Sequence, residues 1–403
     1  MKWGKVKVGD CCEVTSSKRI FFSEYVDSGV PFYRSKEIIE SSNGQAISEP
    51  LFISQEKYDE IKNHFGVPQS GDMLLTSVGT IGVPYIVREK DYFYFKDGNL
   101  TWFRNFSDEL DSKYLYFWVK SSEGQSVLNN TTIGSSQKAL TIASLKGLEI
   151  PCPPAPVQKR IVEFLAGYDD LIENNQKQIK LLEEAAQRLY KEWFVDLRFP
   201  GHENMKITDG VPEGWHVVKL SDVADVNKTS ISKQYPYDYV DYVDLGSVSK
   251  GRIETITRFS IQETPGRAKR VASDGDIIWG MVRPNLKSYA LVFHPAATSV
   301  FSTGFAVLSA QKVPFSFLYC YVTQDDFVGY LVNCTNGAAY PAVKPIHFEK
   351  APIMVPTDDL LKQFNLIAKP MYRKIEILEK QIQQAKESRD RLLPKLMSGE
   401  IEV

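Results

Sequence analysis

Ile161-Val-Glu-Phe-Leu-Ala-Gly-Tyr-Asp-Asp-Leu-Ile-Glu-Asn-Asn-Gln-Lys-Gln-Ile-Lys-Leu-Leu-Glu-Glu-Ala-Ala-Gln-Arg-Leu-Tyr-Lys-Glu-Trp193 decides the architecture of this 403-residue chain. Ile161, Leu165, Tyr168, Ile172, Asn175, Ile179, Leu182, Ala186, Leu189 and Trp193 alternate at spacings of four and three, with one polar exception. That period is the seam of a coiled coil, narrower than the stripe of a helix lying on a globular core. Adding 203 to each position lands on Phe364, Ala368, Met371, Ile375, Leu378, Ile382, Ala385, Arg389, Leu392 and Leu396, most of them apolar. Two matched seams in one chain are buried most simply against each other. The chain crosses a whole globular segment between them, so the helices can run antiparallel. A buried seam asparagine such as Asn175 fixes register at some cost in stability. Pro370 is expected to bend or delay the second helix, and Pro394 to end its regular part.

The same offset governs more than the helices. Leu115-Tyr-Phe-Trp-Val returns as Leu318-Tyr-Cys-Tyr-Val, Thr132-Ile-Gly134 as Thr335-Asn-Gly337, and Gln178-Ile179 as Gln381-Ile382. Upstream the offset drifts: Gly71-Asp-Met-Leu answers Gly275-Asp-Ile-Ile at 204, and Lys2-Trp-Gly answers Gly214-Trp-His at 212. Loops therefore absorbed insertions while helix length was held. This is a duplicated domain, since a solenoid would repeat at a much shorter period. The expected class is mixed α+β: two similar globular α/β domains in a pseudo-two-fold arrangement, with a two-helix antiparallel coiled coil between them. The segments are 1–156, 157–200, 201–356 and 357–403. Leu110 to Val127 has apolar residues at helical spacing, and Pro151-Cys-Pro-Pro-Ala-Pro156 reads as an extended connector.

Composition is that of a globular protein, 43% hydrophobic and 24% charged, with a formal net charge of −2. No apolar run is long enough for a membrane span, and the N-terminus has no signal-peptide core. Five cysteines without a C-x-x-C pattern fit a reducing, cytoplasmic setting. The near-neutral sum does not announce nucleic acid, but Lys250 to Lys287 holds eight Lys/Arg against four Asp/Glu. Its cluster Arg267-Ala-Lys-Arg270 suits a solvated loop as well as a phosphate-contacting one. No phosphate-binding glycine loop, methyltransferase tetrad or histidine pair for a metal is visible, so the chain reads as non-catalytic.

Four tracts together resemble one family. Trp193-Phe-Val-Asp-Leu-Arg-Phe-Pro-Gly-His-Glu203 is similar to the central region of the specificity subunit of type I restriction-modification systems. Leu392-Leu-Pro-Lys-Leu-Met-Ser-Gly-Glu-Ile401 resembles that family's C-terminal signature, Pro153-Pro-Ala-Pro-Val-Gln-Lys-Arg-Ile-Val162 its helix-start motif, and Gly134-Ser-Ser-Gln-Lys-Ala-Leu140 the tract before it. The second helix start, Pro356-Thr-Asp-Asp-Leu-Leu-Lys-Gln363, lacks the Gln-Lys-Arg-Ile run, so docking there is expected to be less symmetric. The resemblance implies two target recognition domains, each reading half of a bipartite double-stranded DNA site. It implies paired helices that set the spacer and dock two modification (methyltransferase) subunits, with restriction subunits joining through the complex. No cofactor is then expected in this chain, with S-adenosylmethionine, ATP and magnesium on the partner subunits. The competing readings are a scaffold with duplicated interaction domains, and a chain with its own nuclease or methylase activity.

Recognition of DNA needs phosphate contacts for position and base-edge contacts for sequence. The first-domain candidates are Lys18, Arg19, Arg34, Lys36, Thr76, Ser77, Thr80, Ser135, Ser136, Gln137 and Lys138. Those of the second are Lys228, Lys233, Arg252, Arg267, Lys269, Arg270, Arg283, Asn285, Lys287, Tyr340 and Lys344. Arg283 and Asn285 are the sharpest, because arginine suits guanine and asparagine suits adenine in the major groove.

Overall fold

The computed structural model describes residues 3–44, 47–134, 138–232, 234–335 and 341–402. By its internal contacts the chain divides into two units, Met1–Gln176 with Lys380–Val403, and Lys177–Glu379. Each unit holds one globular lobe and a part of both long helices.

The first lobe is built on the antiparallel sheet Glu13–Thr15, Leu100–Arg104, Met73–Thr76, Pro84–Ile86. The second repeats that order with Ala224–Val226, Phe305–Ala310, Ile277–Gly280 and Tyr289–Leu291. In both, the innermost strand is a short apolar run buried on both faces. Each such strand follows a glycine at positive φ, Gly71 at 92° and Gly275 at 87°, which a residue with a Cβ adopts only with strain. The aspartate after each glycine is buried and closes the turn. Asp72 Oδ2 accepts Gln69 N at 2.9 Å and Trp102 Nε1 at 2.8 Å, and Asp276 Oδ2 accepts Ser273 N at 2.7 Å. A second sheet backs each lobe, four strands in the first (Tyr25–Val26, Leu51–Ile53, Val30–Tyr33, Tyr94–Phe95) and five in the second. The strand that leads into each long helix pairs with the lobe's opening strand, Glu149–Pro151 with Lys5–Lys7 and Pro352–Val355 with His216–Lys219.

The long helices span Ala155–Tyr190 and Asp358–Ser398. Seven of the ten first-seam positions are buried, with Tyr168, Leu182 and Leu189 half-buried. Within the N-terminal unit, Ile161 and Leu165 share an apolar cluster with Leu393, Leu396 and Met397, and Asn175 Nδ2 donates to Gln381 Oε1 at 3.1 Å. Within the other unit, Tyr190, Trp193 and Phe194 meet Phe364 at ring-centroid distances of 6.2, 6.1 and 5.1 Å. Early positions of one helix thus face late positions of the other, which is antiparallel pairing. The charged seam residue Arg389 is paired with Asp169.

Several expectations need correction. The seam is not free of the lobes: Val162, Tyr190 and Phe194 are buried beside it, and the N-terminal cluster runs on through Leu115 and Trp118. The helix expected from Leu110 to Val127 is two helices, Ser112–Lys120 and Ser122–Thr131. Ser121 breaks it, extended at ψ 156° with its Oγ accepting Gly124 N at 3.0 Å, the capping geometry that competes with helix continuation. The first helix starts inside the proline run, at Ala155, where the missing N–H of Pro156 has no helical partner to lose. Pro370 and Pro394 lie within the second helix, which runs continuously past both. Buried neighbours on either side, Phe364, Ala368 and Tyr372 at one and Leu393, Leu396 and Met397 at the other, hold it where propensity alone would break it.

The first helix ends in a π-turn over Lys191–Val195, where Asp196 N donates to Lys191 O at 2.8 Å. The wider turn places both Trp193 and Phe194 inside, and Phe199 and Trp215 stack behind them at 5.1 Å. At the other end of the chain, Gly399 lies against Trp3, and a Cβ there would come within 2.9 Å of the indole.

Candidate nucleic-acid interface

In each lobe the turn after the innermost strand meets the stretch just before the lobe's last short helix. In the first, Leu140 N donates to Ser77 O at 2.9 Å and Val78 bridges Ala139. In the second, Arg283 N donates to Pro341 O at 2.8 Å, Val343 N donates to Met281 O at 2.9 Å, and Val282 bridges Ala342. The two tips occupy equivalent positions but differ in content and backbone.

The first tip is a glycine turn, with Gly79 and Gly82 at φ 79° and 82°. Thr80, Lys138 and Ile133 are exposed on it. The second tip carries its strain on larger residues. Arg283 (φ 49°) and Lys287 (φ 56°) both adopt the left-handed conformation around the short turn Pro284–Leu286. Such residues cost about 1–3 kcal/mol each and cluster where geometry matters for function. Pro284 is buried as the anchor, and Lys287 Nζ is held by Asp325 at 2.6 Å. Arg283, Asn285 and Leu286 are exposed, Leu286 over 59% of its surface. Lys344 is exposed on the adjoining stretch. The turn at 303–304 ties the basic cluster to this tip: Thr303 N donates to Arg267 O, and Met281 N to Gly304 O, each at 2.8 Å. Arg267 and Lys269 are exposed, while Arg270 is half-buried with its Nε sealed and without a hydrogen-bond partner.

Residues 1–184 match the family model of the type I restriction modification DNA specificity domain. The chain is also 27% identical to the type I restriction enzyme MjaIX specificity subunit of Methanocaldococcus jannaschii, across 100% of this chain and 94% of that one. Along its whole length the chain is similar to a type I restriction enzyme specificity subunit. A putative specificity subunit of Haemophilus influenzae is 29% identical over 46% of this chain and 45% of its own length. The fold agrees with the crystal structure of the type I restriction-modification S subunit from M. genitalium, at a TM-score of 0.62 and 15% identity, covering 98% of this chain and 96% of that one.

Several of the candidates from sequence are engaged elsewhere. Thr76 is fully buried, its Oγ1 accepting Val83 N at 2.9 Å, and Ser77 is buried with its Oγ 2.6 Å from Thr101 Oγ1. Thr76 ends the inner strand and Ser77 follows it directly, and both hydroxyls are spent on contacts inside the lobe. Arg34 caps its own helix through the buried Glu37 at 2.5 Å, and that carboxylate raises the guanidinium pKa further. Arg252 turns toward Glu379 of the second helix, at 3.9 Å. Arg19, Lys36 and Lys228 are exposed but paired with Asp97, Glu49 and Asp225 at 2.9, 2.9 and 3.0 Å. Ser135, Ser136, Gln137, Lys233 and Tyr340 lie outside the described residues.

Two features escaped the sequence reading. Leu286 is an apolar side chain exposed on a polar tip, where an apolar residue in sequence would be expected to turn inward. Gln158 is fully buried at the first helix start, its Nε2 donating to Glu109 O and Pro153 O at 2.8 Å and its Oε1 accepting Asp111 N at 2.9 Å. The position 203 residues later is Leu361, also buried, so one helix is pinned by polar contacts and the other by apolar ones. Among the described residues no group of three His, Cys, Asp or Glu is placed to hold a metal ion, and no helix is long and apolar enough to cross a membrane.

Proposed function

We propose that each lobe of this chain reads one half of a bipartite duplex DNA site, and that its two tips make the base contacts. The observation that carries this reading is the pair of equivalent tips on one repeated sheet order, differing in residues and backbone. Equivalent placement suits two half-sites, and different content suits two different sequences. Arg283 and Asn285 supply the directional contacts of the second lobe, and Lys269, Arg267 and Lys344 supply phosphate contacts. The helix pair sets the spacer and docks two modification subunits, and restriction subunits join through them. The chain itself performs no chemistry. S-adenosylmethionine, ATP and magnesium belong to the partner subunits, and the complex works in the cytoplasm.

The test is a methylome. The chain is expressed with its modification subunits in a host lacking other adenine methylation, and every methylated position is mapped. A split site with a fixed spacer is expected, and inserting four residues near Ile179 should alter the spacer while both half-sites persist. Methylation without a shared sequence would refute the reading, and so would modification of DNA by this chain alone.

A further inference from the structure

Leu286 is the apolar member of the second lobe's tip, 59% exposed beside the exposed Arg283 and Asn285. We infer that Leu286 reads thymine through its 5-methyl group, and that Ile133 does the same from the first lobe's tip. The inference deepens the base-reading role proposed above and rests on it, since it names the chemical group these two side chains recognise.

The turn under Leu286 is built to stay as it is. Leu286 N donates to Arg283 O at 2.9 Å and Lys287 N to Pro284 O at 3.0 Å, which closes the turn on itself. Both flanks are left-handed, Arg283 at φ 49° and Lys287 at φ 56°. Both are also tied to the lobe, Arg283 N to Pro341 O at 2.8 Å and Lys287 Nζ to Asp325 Oδ1 at 2.6 Å, and Pro284 is buried. With its backbone fixed at both ends, Leu286 is kept at the surface. One exposed leucine is ordinary on a protein. This one is set apart by its company, a fixed turn carrying an exposed arginine and an exposed asparagine, which suit guanine and adenine edges.

The first tip repeats the pattern with other residues. Ile133 is 55% exposed, and its N–H and carbonyl both bond Ala139 at 2.9 Å, the residue that Val78 bridges. Exposed Thr80 and Lys138 accompany it. Each tip therefore sets a branched aliphatic side chain on paired backbone among polar neighbours.

The duplex limits what such a side chain can meet. Major-groove edges display donors and acceptors at every base pair, and the apolar group among them is the thymine methyl. Against a donor or acceptor, an aliphatic chain strips water and offers no hydrogen bond in return. Against the methyl, it takes two apolar surfaces out of water together. The adjacency of Asn285 and Leu286 fits this chemistry, because an adenine read by the amide is paired with a thymine that carries the methyl.

The full chain, assembled with its modification subunits, is tested on duplexes of the mapped site. Each thymidine in turn is replaced by deoxyuridine, which lacks only the methyl group. The proteins are wild type, Leu286→Ala, Leu286→Met and Ile133→Ala. In wild type, one swap in each half-site is expected to weaken binding by about fourfold, the effect of one buried methyl. Leu286→Ala should lose the effect of the swap in one half-site and keep it in the other, and Ile133→Ala should do the reverse. Leu286→Met keeps an apolar side chain and should keep part of the discrimination. Because Leu286 is exposed, Leu286→Ala should leave the thermal midpoint unchanged, which separates a reader from a packing residue. Sequence-specific binding that no swap alters would overturn the inference and leave the recognition reading standing, and so would a swap series in Leu286→Ala identical to that of wild type. Equal weakening of all sequences in Leu286→Ala, or loss of its assembly with the modification subunits, would also overturn it, by assigning the side chain to a wedge between bases or to a protein contact. A wild type that binds no fixed sequence would overturn both readings.

Discussion

Asn175 and Gln381 meet across the two long helices, Asn175 Nδ2 donating to Gln381 Oε1 at 3.1 Å, with Asn175 only 2% exposed. The apolar seam is interrupted at that level by one amide pair. A buried polar contact between otherwise interchangeable apolar layers penalises any register that separates the two side chains.

Replacing Asn175 with leucine should therefore raise stability and loosen register. We expect a thermal midpoint higher by about 2–4 °C, equivalent to about 1 kcal/mol in a unit of this size. Disulfide trapping between cysteines placed at facing and at off-register positions should capture more than one pairing in the variant. A lower midpoint with a single trapped pairing would count against a register role.

Gln158 joins the first helix to three backbone groups of its lobe. Gln158→Leu keeps the volume, orphans Asp111 N and leaves Glu109 O and Pro153 O with only the weak Cys152 thiol donor, so unfolding should become easier by roughly 1–3 kcal/mol in denaturant titrations. Leu361→Gln at the matching position should also destabilise, since it places an amide in an apolar site. Asymmetric outcomes of this kind follow from two copies that solved one problem differently.

Glu379 gives a pH signature. Burial raises its carboxyl pKa from 4.5 to about 7, with Arg252 opposing the shift and Glu183, Glu254 and Glu376 adding to it. Between those two values the folded protein keeps a proton that the unfolded chain releases, so stability falls as pH rises from about 4.5 through about 7. The side chain retains 39% of its surface, and solvent screening reduces the size of the effect. Glu379→Gln should flatten this part of the stability profile. An identical profile in the variant would exclude Glu379 as its source.

Thr76 ends the inner strand, Thr80 lies four residues on in the turn that follows, and the two should behave in opposite ways. Thr76→Ala orphans Val83 N and should cost roughly 1–3 kcal/mol of stability with the recognised sequence unchanged. Thr80→Ala should leave the thermal midpoint unchanged and weaken DNA binding. Altered specificity in Thr76→Ala would show that the loop moves as one piece.

At the second tip, Arg283→Ala should relax discrimination at one base pair of one half-site by about 1–3 kcal/mol. Lys269→Ala should weaken all sequences alike and reduce the salt slope. Arg283→Gly should lose the same discrimination while relieving the backbone, because φ 49° costs glycine little. Binding over single-base variants at several salt concentrations distinguishes these outcomes, and equal behaviour of Arg283→Ala and Lys269→Ala would refute the division of labour.

The duplication, the seam and the tracts that resemble the family were all readable from residue order. They are periodic or local, and the offset of 203 residues carries them from copy to copy. Pro370 and Pro394 were misread because local propensity was outweighed by buried neighbours such as Ala368 and Leu393 that belong to the packed core. The burial of Thr76 and Ser77 was not legible, because a strand end and the residues that follow it look alike until the sheet fixes where pairing stops, here at Thr76.

Residue order alone determined that this protein has two like lobes and two matched helices, because repetition and heptad spacing are properties of a one-dimensional string. Only the tertiary structure decided which polar side chains are available to a partner. Arg104 is neutralised by Glu13 from 91 positions away, and Arg19 by Asp97 from 78. Lys18 is left over a ring with its charge unmatched. Charge pairing depends on distances of a few ångströms between residues far apart in the chain, and folding alone sets those distances.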